Sequence, residues 1–384
     1  MNFDFTEEQA ALEKNIETFA RREMAPLAKE LDQQAKFSWE LWRKMGDLGY
    51  LGLSMPEEYG GMGLGAIETS LCLEAAGRGG ADAGTTLSWA AHVVLAGMPI
   101  ALFGTEEQKR KYLPKMAAGE WVGAYALTEP NAGSDAGGLT TYAVKKGDKY
   151  VLNGSKMFIT NGPIADVIIV FASTDKSKGS HGISTFIIEK DFPGFSVGKK
   201  LEKMGNCASP TAELIFDNCL VPEQNLLGPM NEGFKSIGHG ILTWERAVMM
   251  GLWVGLMEQN MELCLRYAQE RVQFNRPIAK FQAIQHKLAD MKMDIEAARL
   301  IMYQVGWLID QGKSAYLESA VAKLFVTEAT MRNVQEAVQI HGGYGLMKEY
   351  DVERNYRDAK LGVIGGGSSE IQRGIIAKQM LNGA

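Results

Sequence analysis

The chain has 384 residues, 22% of them charged, and a formal net charge of -6, which is enough length for two or three structural domains around sizeable cores. The acidic balance and the lack of any dense Lys/Arg run exclude an electrostatic nucleic-acid surface. Four scattered cysteines with no CxxC pair, and five histidines outside ligand spacing, exclude a disulfide framework and a zinc site.

In chain order, Thr6 followed by Glu7 and Glu8 reads as a helix start. The first residues lack a basic region followed by an apolar core, so they are not expected to be a secretory signal. From Thr6 to about residue 119 the period is helical, as in Leu41, Met45, Leu48 and Leu51, with breakers at Pro56 and Gly60-Gly61. The segment Gly61-Met62-Gly63-Leu64-Gly65-Ala66 matches GxGxxA. No alternating strand precedes it and no βαβ unit surrounds it, so it reads as a loop before a helix and not as a dinucleotide site. The most apolar stretch, 87–103, is interrupted by His92 and Pro99 and reads as buried helix rather than membrane span. A cytoplasmic enzyme is the expectation.

The texture changes near Trp121. Segments 140–144 and 150–152 flank the turn Lys145-Lys146-Gly147-Asp148-Lys149 and read as a hairpin; 165–172, 183–188 and 212–216 are further strand candidates. This block, to about residue 228, reads as a small antiparallel barrel or sandwich. From Asn231 the helical period returns. Residues 247–257 are apolar on every face, as expected of a buried helix, and 280–312 and 314–342 are two further long helical patterns. The expected fold is α+β with three domains: an N-terminal helical domain (1–120), a middle antiparallel β-barrel domain (121–228) and a C-terminal helical domain (229–384).

Three stretches carry chemistry. Tyr125-Ala126-Leu127-Thr128-Glu129-Pro130-Asn131-Ala132-Gly133-Ser134-Asp135 joins a strand-like run to a loop of small and polar residues. Arg271-Val272-Gln273-Phe274-Asn275-Arg276-Pro277-Ile278, followed by Gln282, offers arginine forks suited to phosphate. Near the C-terminus, Gly342-Gly343 and Gly365-Gly366-Gly367 frame a polar segment before a helical pattern from Ser369. Glycine lets a backbone approach a ligand closely, and such a loop opening a helix suits an anionic or carbonyl oxygen.

These stretches, with Met157-Phe158-Ile159-Thr160-Asn161-Gly162, resemble the acyl-CoA dehydrogenase family in order and over nearly the whole chain. The resemblance implies a C-terminal four-helix bundle and FAD as cofactor. It puts Tyr125, Leu127, Thr128, Phe158 and Thr160 at the isoalloxazine, and Gly133 and Ser134 near the CoA moiety. It also puts Ser368 and Glu370 beside the cofactor. The segment Met204-Gly205-Asn206-Cys207-Ala208-Ser209-Pro210-Thr211 resembles another stretch near the CoA chain, which brings in Ser209. Cys207 stands where the family usually has an arginine, and nothing basic beside it in sequence would make it a reactive thiol. The resemblance further implies that Arg271, Phe274, Gln282, Gln339, Gly342 and Gly343 serve the FAD of a neighbouring subunit. An obligate oligomer, commonly a tetramer, follows.

One departure governs the chemistry. The family's catalytic glutamate usually precedes the Ser/Thr of the last glycine cluster by two residues, and Gly366 stands there. A glycine still offers the backbone N–H that the family uses for the thioester oxygen, so the oxyanion contact is spared and the base is lost. Thr243-Trp244-Glu245-Arg246 matches the minority branch, including isovaleryl-CoA and long-chain acyl-CoA dehydrogenases, whose base lies on a third-domain helix just before a CoA-binding arginine. The resemblance therefore implies Glu245 as base and Arg246 as a CoA contact. Read from the residues alone, Glu245 could instead complement a helix start capped by Thr243. The expected reaction is α,β-dehydrogenation of an acyl-CoA, with electrons passed to an electron-transfer flavoprotein and a branched, alicyclic or long acyl group as substrate. The alternatives are a same-fold enzyme acting on a carrier-bound aminoacyl group, a desulfinase, an oxidase that passes its electrons to oxygen, or an inactive flavin-binding protein.

Overall fold

The computed structural model describes residues 4–382; residues 1–3 of the N-terminal stretch considered above lie outside that range. Seven helices come first: α1 (Glu7–Phe19), α2 (Ala25–Gln34), α3 (Trp39–Asp47), α4 (Ala66–Arg78), α5 (Ala83–Ala90), α6 (Met98–Phe103) and α7 (Glu106–Ala117). Eight strands follow: β1 (Gly123–Ala126), β2 (Tyr142–Lys146), β3 (Lys149–Thr160), β4 (Val167–Ser173), β5 (Ile183–Glu189), β6 (Phe195–Lys200), β7 (Thr211–Pro222) and β8 (Leu226–Leu227). Six helices end the chain: α8 (His239–Val248), α9 (Met250–Glu270), α10 (Gln282–Asp310), α11 (Tyr316–His341), α12 (Asp351–Ala359) and α13 (Ser369–Asn382).

The helix start at Thr6 is a full capping box, the Thr6 hydroxyl accepting from Gln9 N while the Gln9 side chain accepts from Thr6 N. The GxGxxA segment is a loop entering α4. The free N–H groups of that helix end are met by an internal carboxylate, Asp310 at the end of α10, which accepts from Ala66 N at 2.6 Å and Ile67 N at 3.1 Å. The stretch Ala83–Phe103 is long and apolar enough to cross a membrane, but most of it is buried inside the protein. It runs from α5 through a π-helical segment, Ala91–Gly97, into α6. The all-apolar run after Ala247 is buried as expected, with a break at Met249 that separates α8 from α9.

Helix α9 crosses α4 on glycines. A Cβ on Gly255 would sit 2.2 Å from Glu74 O, and one on Gly77 would sit 2.9 Å from the Gly255 Cα. The two helical domains thus share one core, containing Leu73, Ala76, Trp253, Leu256 and Val305. Inside it, Glu74 accepts from Arg299 Nε at 2.7 Å and the Tyr303 hydroxyl at 2.6 Å, which satisfies a carboxylate that would otherwise be costly to bury.

The sheet corrects one expectation: it is mixed rather than wholly antiparallel, and it does not close into a barrel. Its order is β6-β7-β3-β2-β4-β5-β8. Strand β4 is buried along its whole length, as a central strand with apolar neighbours on both faces should be. Along one edge of β4 lie, end to end, β1 (Gly123 to Ala126 opposite Val167 to Val170) and β2 (Tyr142 opposite Ser173), both parallel to it. Between those two contacts the chain leaves the sheet as the 127–141 loop. The expected hairpin is present with a tighter turn, Lys146 pairing with Lys149 around Gly147 and Asp148.

Candidate active site

Glu245 lies mid-helix in α8. Thr243 is not an N-cap, because its hydroxyl donates to His239 O at 3.0 Å within the same helix. The Glu245 carboxyl is half-buried and faces the last glycine loop. A Cβ placed on Gly366 would stand 3.1 Å from Glu245 Oε1 and 3.3 Å from its Cδ. Gly366 has φ +65° and Gly367 φ +93°, conformations that glycine adopts without the usual steric penalty. Removal from water pushes the Glu245 carboxyl above the usual carboxylate range, while the cations of Arg246 and Lys323 pull it back.

The loop is held by its carbonyls. Gly366 O accepts from Arg246 Nε at 3.2 Å and from Gln372 Nε2 at 2.9 Å. Gly367 O accepts from Lys323 Nζ at 2.7 Å and from Gln372 Nε2 at 3.2 Å. Arg246 is buried, and its Nη1 has no partner within the described residues. The Tyr125 hydroxyl is likewise buried without a partner, and burial together with the Glu245 charge pushes its phenol well above the ordinary value. Ser368 opens α13, its hydroxyl accepting from Ile371 N at 3.4 Å, and Glu370 is exposed in the first turn.

A second group forms where the 127–141 loop departs. Leu127 and Thr128 continue from β1, and Thr128 O accepts from Met157 N at 2.8 Å. Beneath them Lys156 and Glu129 form an ion pair of 2.8 Å with side chains 0% and 2% exposed. Lys156 Nζ also donates to Leu127 O at 3.0 Å. Glu129 accepts from Thr140 N at 2.6 Å, Thr140 Oγ1 at 2.7 Å and Thr141 N at 3.0 Å. Phe158 has φ +62° and is 66% exposed. A bulky side chain in left-handed backbone is a strained conformation, and such residues cluster at functional sites. Here the strain presents an aromatic face outward beside Thr160.

The residues expected to serve a neighbouring subunit gather at the far ends of α9 and α11. Arg271, Gly342 and Gly343 line a cavity of about 560 Å³ with Tyr267, His341 and Tyr344. Phe274 stands at the tip of the 272–277 hairpin, 87% exposed with φ +51°. Gln282 and Gln339 are exposed.

Gly133 and Ser134 are exposed in the loop after the Glu129–Ala132 bridge. Ser209 is buried, and its hydroxyl accepts from Ser88 at 3.0 Å. Cys207 is half-buried with its Sγ 3.4 Å from Lys203 O, and burial and the Asp32 carboxylate push its thiol up to about 11. Iodoacetamide at neutral pH should therefore alkylate Cys207 in the folded protein at least about tenfold more slowly than a free thiol. Modification as fast as that of glutathione, located by peptide mapping, would contradict this.

Lys323, Gln372 and the Lys156–Glu129 pair were not among the expected site residues. Lys323 had a legible signal: it is a lone cation in the apolar run Ala320-Val321-Ala322-Lys323-Leu324-Phe325-Val326.

The acyl-CoA dehydrogenase N-terminal, middle and C-terminal domain models match residues 6–120, 124–219 and 231–381. A chain in the structure of the electron transferring flavoprotein of Acidaminococcus fermentans superposes with TM-score 0.96 at 45% identity, covering 99% of this chain and 100% of that one. Butyryl-CoA dehydrogenase from Megasphaera elsdenii superposes with TM-score 0.96 at 42% identity, covering 99% and 100%. The mitochondrial isovaleryl-CoA dehydrogenase of Oryza sativa subsp. japonica is 42% identical over 98% of this chain and 92% of its own length. The chain belongs to the acyl-CoA dehydrogenase family. It is an oxidoreductase, and FAD is its cofactor. Its own residues fit that group: an outward aromatic at Phe158, and a cavity lined by an arginine and two glycines whose Cβ positions would meet nothing within 4 Å.

Proposed function

We propose that this enzyme dehydrogenates an acyl-CoA thioester between its α and β carbons, with Glu245 as the base. The observation that carries the reading is the coincidence of Glu245 with the space above Gly366: a carboxylate from α8 occupies the point that a side chain at 366 would reach. Bound FAD supplies the two-electron acceptor that takes the β hydrogen with its electron pair. Leu127, Thr128, Phe158 and Thr160 would hold its ring, and Arg271, Gly342 and Gly343 of a second copy its pyrophosphate half. Glu245 takes the α proton onto a carboxylate oxygen, and its raised proton affinity suits that task. The Gly366 N–H donates to the thioester oxygen as negative charge builds there. Arg246, with a free buried Nη1, binds the CoA portion while its Nε fixes the loop through Gly366 O.

With the base drawn back onto α8, position 366 bears no side chain. That leaves room beside the reacting carbons and supports a branched, alicyclic or long acyl group. The acceptor is an electron-transfer flavoprotein, and the exposed Phe274 supports an assembly in which a second copy covers the hairpin. Anaerobic titration of the FAD-loaded enzyme with straight, branched, alicyclic and long acyl-CoAs tests this. Loss of the visible flavin band is expected with a bulky class. Fast bleaching by butyryl-CoA alone would defeat the bulky-substrate reading, and no bleaching by any thioester would turn the assignment toward a carrier-bound substrate.

A further inference from the structure

We propose that Lys323 is a positioning residue of the thioester site, anchoring the 366–367 loop from α11 and holding Glu245 in its carboxylate form through its charge. The inference rests on Glu245 being the base.

Lys323 is 1% exposed and lies among Ala320, Ala322 and Val326, each 0% exposed. An apolar side chain would fill that space without the cost of burying an ammonium. What the lysine adds is directed: Nζ donates to Gly367 O at 2.7 Å, two peptide units beyond the Gly366 N–H expected to donate to the thioester oxygen. The same loop is also gripped at Gly366 O by Arg246 and Gln372. Remove one grip and the donor at Gly366 loses its fixed direction, which costs rate even when binding persists.

The charge acts across the loop. Glu245 is faced by Arg246 on its own helix, by Lys323 on α11 and by the Tyr125 phenol on β1. Lys323 in turn is faced by Glu245, Arg246, Glu328 on α11 and Glu370 on α13. Burial pulls the Lys323 ammonium down to about 8, against the pull of Glu245. Below that pH the cation is present and favours the Glu245 carboxylate. Above it the cation fades, just where Glu245 needs no help.

Single-turnover flavin reduction by an acyl-CoA, measured anaerobically from pH 5.5 to 9, tests this, with FAD content and acyl-CoA affinity measured separately. Lys323→Gln keeps a hydrogen-bond donor but no charge. It should retain FAD and bind acyl-CoA within about threefold, while the acidic limb of the rate profile moves up by about one pH unit. The variant should then be about tenfold slower on the acidic side and converge on the parent near pH 9. Lys323→Arg should keep the parental limb. A Lys323→Gln profile lying on the parent, or lowered equally at every pH, overturns the proposal, as does a limb shift in Lys323→Arg equal to that of Lys323→Gln. If Lys323→Gln does not hold FAD, Lys323→Met replaces it: its acidic limb should move up by the same amount while its rate stays below the parent even at pH 9, because the bond to Gly367 O is lost with the charge, and an unmoved limb overturns the proposal. Glu245→Gln in parallel separates the two ideas: if it still reduces flavin the base assignment fails, and if it is inert while the Lys323→Gln limb is unmoved, only the role of Lys323 fails.

Discussion

Glu245→Gln is expected to fold, load FAD and bind acyl-CoA, and to lose anaerobic flavin reduction by a factor of about 10²–10⁴ or more. The isosteric amide cannot accept the α proton, and the hydrogen bonds of Arg246 and Lys323 to the glycine loop are left in place. Retention of more than about a tenth of the rate would sink the assignment. The geometry also says how activity can be moved. Gly366→Glu on the Glu245→Gln background should do poorly, because its Cβ would stand about 3 Å from the glutamine that replaces Glu245. Glu245→Gly combined with Gly366→Glu clears that contact and should recover part of the rate. The recovery is incomplete because an L residue at φ +65° costs about 1–2 kcal/mol. Full inactivity of the double variant with FAD bound would mean that the two positions do not serve the same carbon.

How much of this was legible in the chain depends on how local the signal is. Helices α10 and α11 stand close to where the hydrophobic period placed them, because helical contacts repeat within a few residues. Strand β1 pairs in parallel with β4, Gly123 opposite Val167, and nothing in the alternation of either segment specifies that partner or its direction. Strand β6 was missed because it is a solvated edge: Phe195-Ser196-Val197-Gly198-Lys199-Lys200 has no buried residue to advertise it. At the site, Glu245 and Gly366 were connected only through family resemblance. Their meeting in space joins α8 to a loop 121 residues later, a contact that composition and spacing do not encode. The left-handed backbone of Phe158 was equally silent, since an aromatic there argues against that conformation on local grounds.

The ion pair beneath the proposed flavin site gives the second large effect. Lys156→Met should destabilise the protein by about 3–5 kcal/mol at pH 7, as removal of one partner from a buried pair does. The reason is what is left behind. Burial alone would raise the Glu129 carboxyl, but Lys156, with the hydrogen bonds from Thr141 and Thr140, outweighs it and holds the group down at about 2. In the parent that depressed affinity stabilises the fold at neutral pH and is lost only as pH falls from the ordinary carboxylate range toward 2. Without Lys156 the burial effect dominates, Glu129 resists ionisation, and the penalty grows as pH rises past its unfolded value. The Tm deficit of the variant should therefore be larger at pH 7 than at pH 5. The same lysine bonds Leu127 O, so FAD should also be released more readily, read as flavin fluorescence on dilution at temperatures below unfolding. A Tm deficit that is small, or equal at the two pH values, would show that Glu129 finds another partner. In that case the platform carrying Leu127 and Thr128 is held by the Thr128–Met157 backbone hydrogen bond and the Thr140–Thr141 loop rather than by the buried charge pair.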